Sequence, residues 1–166
     1  MCEVLIKFLY RGIYQNEDSY EKTISYIYRC EQKKPLPIYA YGTIRFPPTY
    51  ESLCQDFHTV YDACETKPLR HLWHFIASSL EIDKRNMDLA YRFCDAIAQL
   101  FAPNYQVCYS FHPDKSHPHF HFIVSSVSYI DNRELTRKDL DNYLEAMESI
   151  AVEYGISLQI GGLEFV

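Results

Sequence analysis

The sequence predicts an α/β (α+β) domain with a largely antiparallel central sheet and helices packed on it. Three observations predict this. Apolar runs of strand length alternate with stretches whose apolar residues recur at helical spacing. The 166 residues, 48% hydrophobic and 16% aromatic, suffice for a substantial core. A polar turn at residues 113–116 joins two apolar runs and reads as an antiparallel hairpin. With only 5 glycines and 8 prolines, and no repeat or biased tract, collagen-like, solenoid and linker-dominated classes are excluded.

The elements follow in order. Residues 4–10 form a short apolar run, a first strand. Over residues 19 to about 29, Tyr20, Ile24, Ile27 and Tyr28 fall at i, i+4, i+7 and i+8, the stripe of a helix. Pro35 and Pro37 impose an extended passage, followed by a strand over 39–46 that Pro47 and Pro48 close. Thr49 suits the N-cap of a helix with Leu53, Phe57, Val60 and Tyr61 on one face. After Pro68, residues 72–79 read as a buried strand, apolar first and small and polar last. Met87, Ala90, Tyr91, Cys94, Ile97, Ala98 and Phe101 restore helical spacing until Pro103. Strands are expected at 105–111 and 119–129. Thr136 then caps a helix that turns Leu140, Tyr143, Leu144, Met147, Ile150, Ala151 and Tyr154 inward, Gly155 suits its stop, and 156–160 form a last strand.

No apolar run reaches the roughly 18–20 residues that span a bilayer. Glu3 and Lys7 in the opening segment do not suit an export signal, so the expected compartment is the cytoplasm, without a membrane partner. The cysteines Cys2, Cys30, Cys54, Cys64, Cys94 and Cys108 are scattered, with no CxxC pair, as expected of reduced structural thiols. A formal net charge of −6 argues, by itself, against a nucleic-acid partner. The imbalance is local, however: from Asp131 to Tyr154 seven acids face three bases, a net of −4. The rest of the chain is close to neutral and carries a basic group at Arg29, Lys33 and Lys34.

Four of the seven histidines fall between His112 and His121. On a strand, residues i and i+2 share a face, which places His119 and His121 about 6–7 Å apart on one side. A hairpin turned through residues 113–118 returns His112 to that pair. Three neutral imidazoles then converge from one side and leave open positions for water or a phosphate oxygen. His117 lies in the turn with the same parity as His119 and His121, beyond the regular pleat, and Asp114 could orient a ligand through a supporting hydrogen bond or bind a DNA-bound metal directly. A lone histidine is more often a solvated or core residue; three at H-x6-H-x-H on a hairpin favour a metal site over that reading.

The stretch from Tyr105 to Tyr129, with His112-Pro113-Asp114 leading to His117-Pro118-His119-Phe120-His121, resembles the metal motif of the relaxase or mobilisation nuclease family within the HUH endonuclease superfamily. The family pattern is H-x-D-x-x-H-x-H-x-H followed by apolar residues and a small polar strand end. The resemblance implies an HUH-endonuclease-like palm, with His112, His119 and His121 as metal ligands and Asp114, His117 and His74 as second-layer candidates. Residues 70–79 resemble the family's neighbouring strand. Members usually carry a further region after the nuclease domain; here residues 1–166 read as one relaxase-type nuclease domain without it.

A tyrosine is a suitable nucleophile for cutting one DNA strand while conserving the bond energy in a covalent intermediate. There are fifteen tyrosines. Tyr20 and Tyr28 belong to the apolar stripe of the first helix, whereas Tyr26 lies roughly 145° from its centre. Tyr26 also matches the tyrosine of the family's N-terminal segment, so the resemblance makes it the nucleophile, with Tyr28 the runner-up. His74 either lines the site or packs within its strand. Arg29, Lys33, Lys34 and Lys115 are the expected DNA contacts, together with Arg45 and Ser116.

The implied activity is a metal-dependent nick in single-stranded DNA at a plasmid or conjugative-element origin of transfer, through a 5′-phosphotyrosine. Mn²⁺ or Mg²⁺ is the implied cofactor, Zn²⁺ being a further ion that three imidazoles bind well. Accessory or coupling proteins are the other implied partners. Two alternatives remain at this stage. A rolling-circle replication initiator or single-tyrosine transposase would use a tyrosine on a helix after the histidines, such as Tyr143 or Tyr154. A non-catalytic metal-binding or DNA-binding accessory protein would form no covalent adduct.

Overall fold

A computed structural model describes residues 2–79, 81–83, 85–114, 116–161 and 164–165. Strand β1 (Cys2–Tyr10) leads through a 3-10 turn at Gly12–Gln15 into α1 (Ser19–Tyr28). Then come β2 (Tyr39–Tyr41), α2 (Tyr50–Asp62), β3 (Leu72–Ser78) and α3 (Met87–Phe101). The hairpin β4 (Val107–His112) and β5 (His119–Ser125) is followed by α4 (Arg137–Glu153), β6 (Ile156–Ile160) and β7 (Glu164–Phe165).

The strands form one sheet in the order β2-β4-β5-β3-β1-β6, with β7 also paired to β1. Every pairing from β2 to β1 is antiparallel, and β6 and β7 run parallel to β1. The expected α/β class with a largely antiparallel sheet is therefore the observed one. Alternation of side chains divides the core in two. Phe75, Ala77, Phe120, Phe122 and Val124 point to the face covered by α3 and α4, where they meet Phe93, Ile97, Phe101, Leu140 and Met147. Leu72, Cys108 and Ile123 point to the other face, under α1 and α2, against Tyr20, Ile24, Ile27, Tyr28, Leu53 and Phe57. The stripe foreseen for α1 is the buried one: its four residues have no exposed area.

Thr49 and Thr136 cap α2 and α4 through reciprocal boxes with Ser52 and Asp139, each pair satisfying two helix-start N–H groups. All six cysteines are free. Among the described residues no helix is long and apolar enough to cross a membrane.

Several strand boundaries differ from expectation: the first strand starts at Cys2 rather than at residue 4, and the strand over 72–79 ends at Ser78. The strand over 39–46 stops at Tyr41, because Gly42 takes a left-handed φ of 72° and the Ile44 N–H turns aside to donate to Asp56 Oδ2 at 2.8 Å. The strand over 119–129 ends at Ser125, whose hydroxyl donates to the Val127 carbonyl; a Val127–Glu134 bridge closes the loop beyond. The strand expected at 105–111 runs instead from Val107 to His112, and that extra residue at its end is one of the candidate ligands.

Candidate metal centre and its cleft

The β4–β5 register makes His112 and His119 direct partners and sets His121 opposite Ser110. Because directly paired residues share a face, as do residues i and i+2 of a strand, His112, His119 and His121 all project to the face under α1. Their ring centroids are 4.3 Å (His112–His121), 4.7 Å (His119–His121) and 5.2 Å (His112–His119) apart. One nitrogen from each lies within 4.8 Å of the other two, and the Nε2 atoms of His119 and His121 are 3.0 Å apart. Neighbouring imidazole ligands at about 2.1 Å from one ion lie at similar separations.

The other nitrogen of each ring is fixed. His112 Nε2 donates to the Ile27 carbonyl at 2.7 Å, and His119 Nδ1 donates to the His117 carbonyl at 2.6 Å. His121 Nδ1 meets His74 Nε2 at 2.8 Å, and His74 Nδ1 meets the Tyr14 hydroxyl at 2.6 Å. Engagement of the outer nitrogen sets the ring orientation and leaves the inner one to face an ion. Burial holds His112 and His121 below the ordinary imidazole range and pushes His74 down to about 3, so these rings are neutral at pH 7, the form that ligates. Burial also raises the Tyr14 phenol to about 12, so it keeps its proton. The donor set and its support thus fit a divalent ion.

Helix α1 is brought to this cluster by its own unsatisfied end. The Ile27 carbonyl is among the last four of the helix and lacks an intrahelical partner. It accepts from both His112 Nε2 and the Ser110 hydroxyl, the latter at 2.6 Å. One residue earlier, Tyr26 is 51% exposed and its ring stands over the histidines, 5.4 Å from His121 and 5.9 Å from His112. A cleft of about 720 Å³ opens beside it, lined by Tyr26, Ser25, Arg29, Tyr50, His112 and Asp114 among others. That volume is in the range of ligand-binding clefts.

Tyr28, the runner-up, is placed elsewhere. It has no exposed area, and its hydroxyl donates to the carbonyls of Tyr39 (3.1 Å) and Tyr109 (2.9 Å), with burial raising its pKa well above that of an ordinary phenol. A phosphate cannot reach it, so Tyr28 is withdrawn as a nucleophile. Tyr143 and Tyr154 lie on the far side of the sheet, stacked on Phe101 and edge-on to Phe93. No observation therefore favours a nucleophile from the last helix.

The remaining residues divide. Arg29 reaches the cleft and pairs with Asp114 at 2.7 Å, which draws that carboxyl below its ordinary range. Asp114 therefore partners Arg29 rather than one of the clustered histidines. His117 is exposed and supports His119 through its main-chain oxygen rather than its imidazole. His74 is 1% exposed and contacts His121 directly. Lys33 and Lys34 are exposed in the turn after α1 and do not line the cleft, and Lys115 lies outside the described residues. The cleft also presents Asp18, Glu21 and Glu31, so it is less basic than the Arg29–Lys34 group suggested. Residue-level reading missed Tyr14, the Ile27 carbonyl and Tyr50. Tyr14 sits in an unforeseen 3-10 turn, where no periodicity marks its direction.

A histidine cluster on an antiparallel sheet, faced by a half-exposed tyrosine from the first helix, defines the class to which comparison with known proteins also points. The model of the relaxase family, MobA/VirD2-like nuclease domain, matches residues 26–156, and the chain belongs to that family. A solved chain described under "Molecular Basis of Vancomycin Resistance Transfer in Staphylococcus aureus" shares the fold with a TM-score of 0.51 at 13% identity, covering 99% of this chain and 100% of that one. No curated protein matches.

Proposed function

We propose that this relaxase-family domain nicks single-stranded DNA at an origin of transfer, with Tyr26 as nucleophile and His112, His119 and His121 as ligands of one divalent ion. The observation that carries the reading is the position of the Tyr26 ring, half exposed at a cleft and within 6 Å of two of the three imidazoles. Tyr26 Oη attacks the scissile phosphorus and the P–O3′ bond breaks. The proton lost by the phenol balances the one gained by O3′, leaving a 5′-phosphotyrosine and a free 3′-hydroxyl. Mn²⁺ or Mg²⁺ held by the histidines would polarise the phosphate and offset developing negative charge. Arg29 is placed to take a phosphate of the bound strand in exchange for Asp114. Rejoining runs the same steps backwards, because the tyrosyl ester conserves the bond energy.

The test is to incubate the full chain with Mn²⁺ and single-stranded oligonucleotides drawn from mobile-element origins of transfer, and to look for a denaturation-resistant protein–DNA conjugate. Tyr26→Phe abolishes the conjugate while melting and metal binding are kept. Tyr28→Phe keeps it, although losing two buried hydrogen bonds lowers stability by about 1–3 kcal/mol. A conjugate that survives Tyr26→Phe removes Tyr26 as nucleophile. Metal binding without a conjugate on any oligonucleotide favours the accessory-protein reading.

A further inference from the structure

Tyr14, His74, His121 and His119 form one continuous line of hydrogen bonds, with separations of 2.6, 2.8 and 3.0 Å, ending at the His117 carbonyl 2.6 Å from His119 Nδ1. With one proton on each ring, the carbonyl fixes the direction of the whole line, because a carbonyl only accepts. His119 therefore carries its proton on Nδ1 and offers a lone pair at Nε2. His121 must donate to it from Nε2, which leaves His121 Nδ1 as an acceptor. His74 then donates from Nε2, and its bare Nδ1 accepts from the Tyr14 hydroxyl. Tyr14, His74 and His121 are at most 3% exposed.

We infer that this line is a two-state tautomer relay whose direction reverses when a divalent ion binds, with Tyr14 as the positioning residue at its buried end. The inference rests on the metal reading proposed above. An ion shared by His119 and His121 requires lone pairs on both Nε2 atoms, so the His121 proton must reside on Nδ1. His74 Nε2 then accepts, the His74 proton resides on Nδ1, and the Tyr14 oxygen becomes the acceptor. No proton is gained or lost along the line: three imidazole protons and one phenol proton are present in both states. A hydroxyl serves at this end because it both donates and accepts. The relay holds the His121 ring in the same place with or without the ion, so the site is preorganised.

Phenylalanine at position 14 removes the partner of His74 in both states, but unequally. Without the ion a lone pair of His74 goes unused; with the ion a buried N–H does, and a buried unpaired N–H is the less tolerated of the two. Tyr14→Phe should therefore weaken the ion-bound state, by about tenfold in affinity, as removal of an outer-layer partner does.

The test uses the full chain with ¹⁵N-labelled histidine, observing ring nitrogens by long-range ¹H–¹⁵N correlation without and with saturating Zn²⁺. The expected result is His74 and His121 both changing from the Nε2–H to the Nδ1–H form, and Tyr14→Phe binding Zn²⁺ about tenfold more weakly against a chromophoric chelator. Should His112, His119 and His121 respond to Zn²⁺ while His74 keeps one tautomer, the relay is overturned and the metal site stands. An unchanged Zn²⁺ affinity in folded Tyr14→Phe overturns Tyr14 as its terminus. If none of the three ligand rings responds, the metal reading fails and the relay with it. The tautomer measurement on the unsubstituted chain decides the matter even if Tyr14→Phe does not fold.

Discussion

His74 ties the stability of the fold to pH through its own burial. In the folded chain desolvation, with the nearby Arg11 and the other histidines, pushes it from 6.5 down to about 3. His112 and His121 are displaced in the same direction, mainly by burial. Above pH 6.5 folded and unfolded chains are equally unprotonated at these rings. Below it the unfolded chain takes up protons that the folded chain refuses, so stability falls as the solution is acidified, by up to about 1.4 kcal/mol per pH unit for each such ring. Denaturant melts of the ion-free chain should therefore show a clear drop in midpoint from pH 7.5 to 5.5. A flat profile over that interval would mean that these imidazoles are open to water. The histidine cluster was legible in the sequence because the spacing of two strand positions and a six-residue turn dictates its convergence. The partner of His121 was not legible, since it depends on which strand lies beside β5.

Helix α1 shows the same division at the scale of an element. Its buried stripe, and the outward direction of Tyr26, follow from the 3.6-residue period alone. Its end does not. Arg29 adopts a left-handed conformation, φ 52° and ψ 45°, while its N–H and that of Cys30 bond back to the Tyr26 and Ser25 carbonyls. Glycine normally occupies this place in a Schellman ending, and a non-glycine residue there costs about 1–2 kcal/mol. The side chain so displayed meets Asp114 at the cleft. That ion pair is partly exposed and contributes at most about 1 kcal/mol, so it does not explain the strained position through stability; the proposed contact with a phosphate would. Arg29→Gly should leave stability within about 1 kcal/mol of the parent, or raise it, while weakening single-stranded DNA binding. Equal DNA affinity in a fluorescence-anisotropy titration would remove Arg29 from the DNA contacts.

Over the whole molecule, the sheet separates charge from chemistry. The acidic excess between Asp131 and Tyr154 lies largely on α4, which packs on the face opposite the histidines. Net charge is therefore a poor guide to the proposed partner, although the cleft's own carboxylates keep it from being strongly basic. Sheet class, the helix faces and the histidine hairpin follow from local periodicity and turn chemistry. The parallel pairing of β6 with β1 and the antiparallel pairing of β3 with β5 are long-range choices that no local pattern expresses. Placing β3 there aligns His74 with His121 and thereby Tyr14 with the site.

The most direct measurement is the anomalous scattering of Mn²⁺ in crystals of the full chain grown with that ion. One peak is expected at about 2.0–2.3 Å from a nitrogen of each of His112, His119 and His121, on the side faced by Tyr26. A well-ordered site without that peak, or a peak bound by other residues and remote from Tyr26, would contradict that expectation.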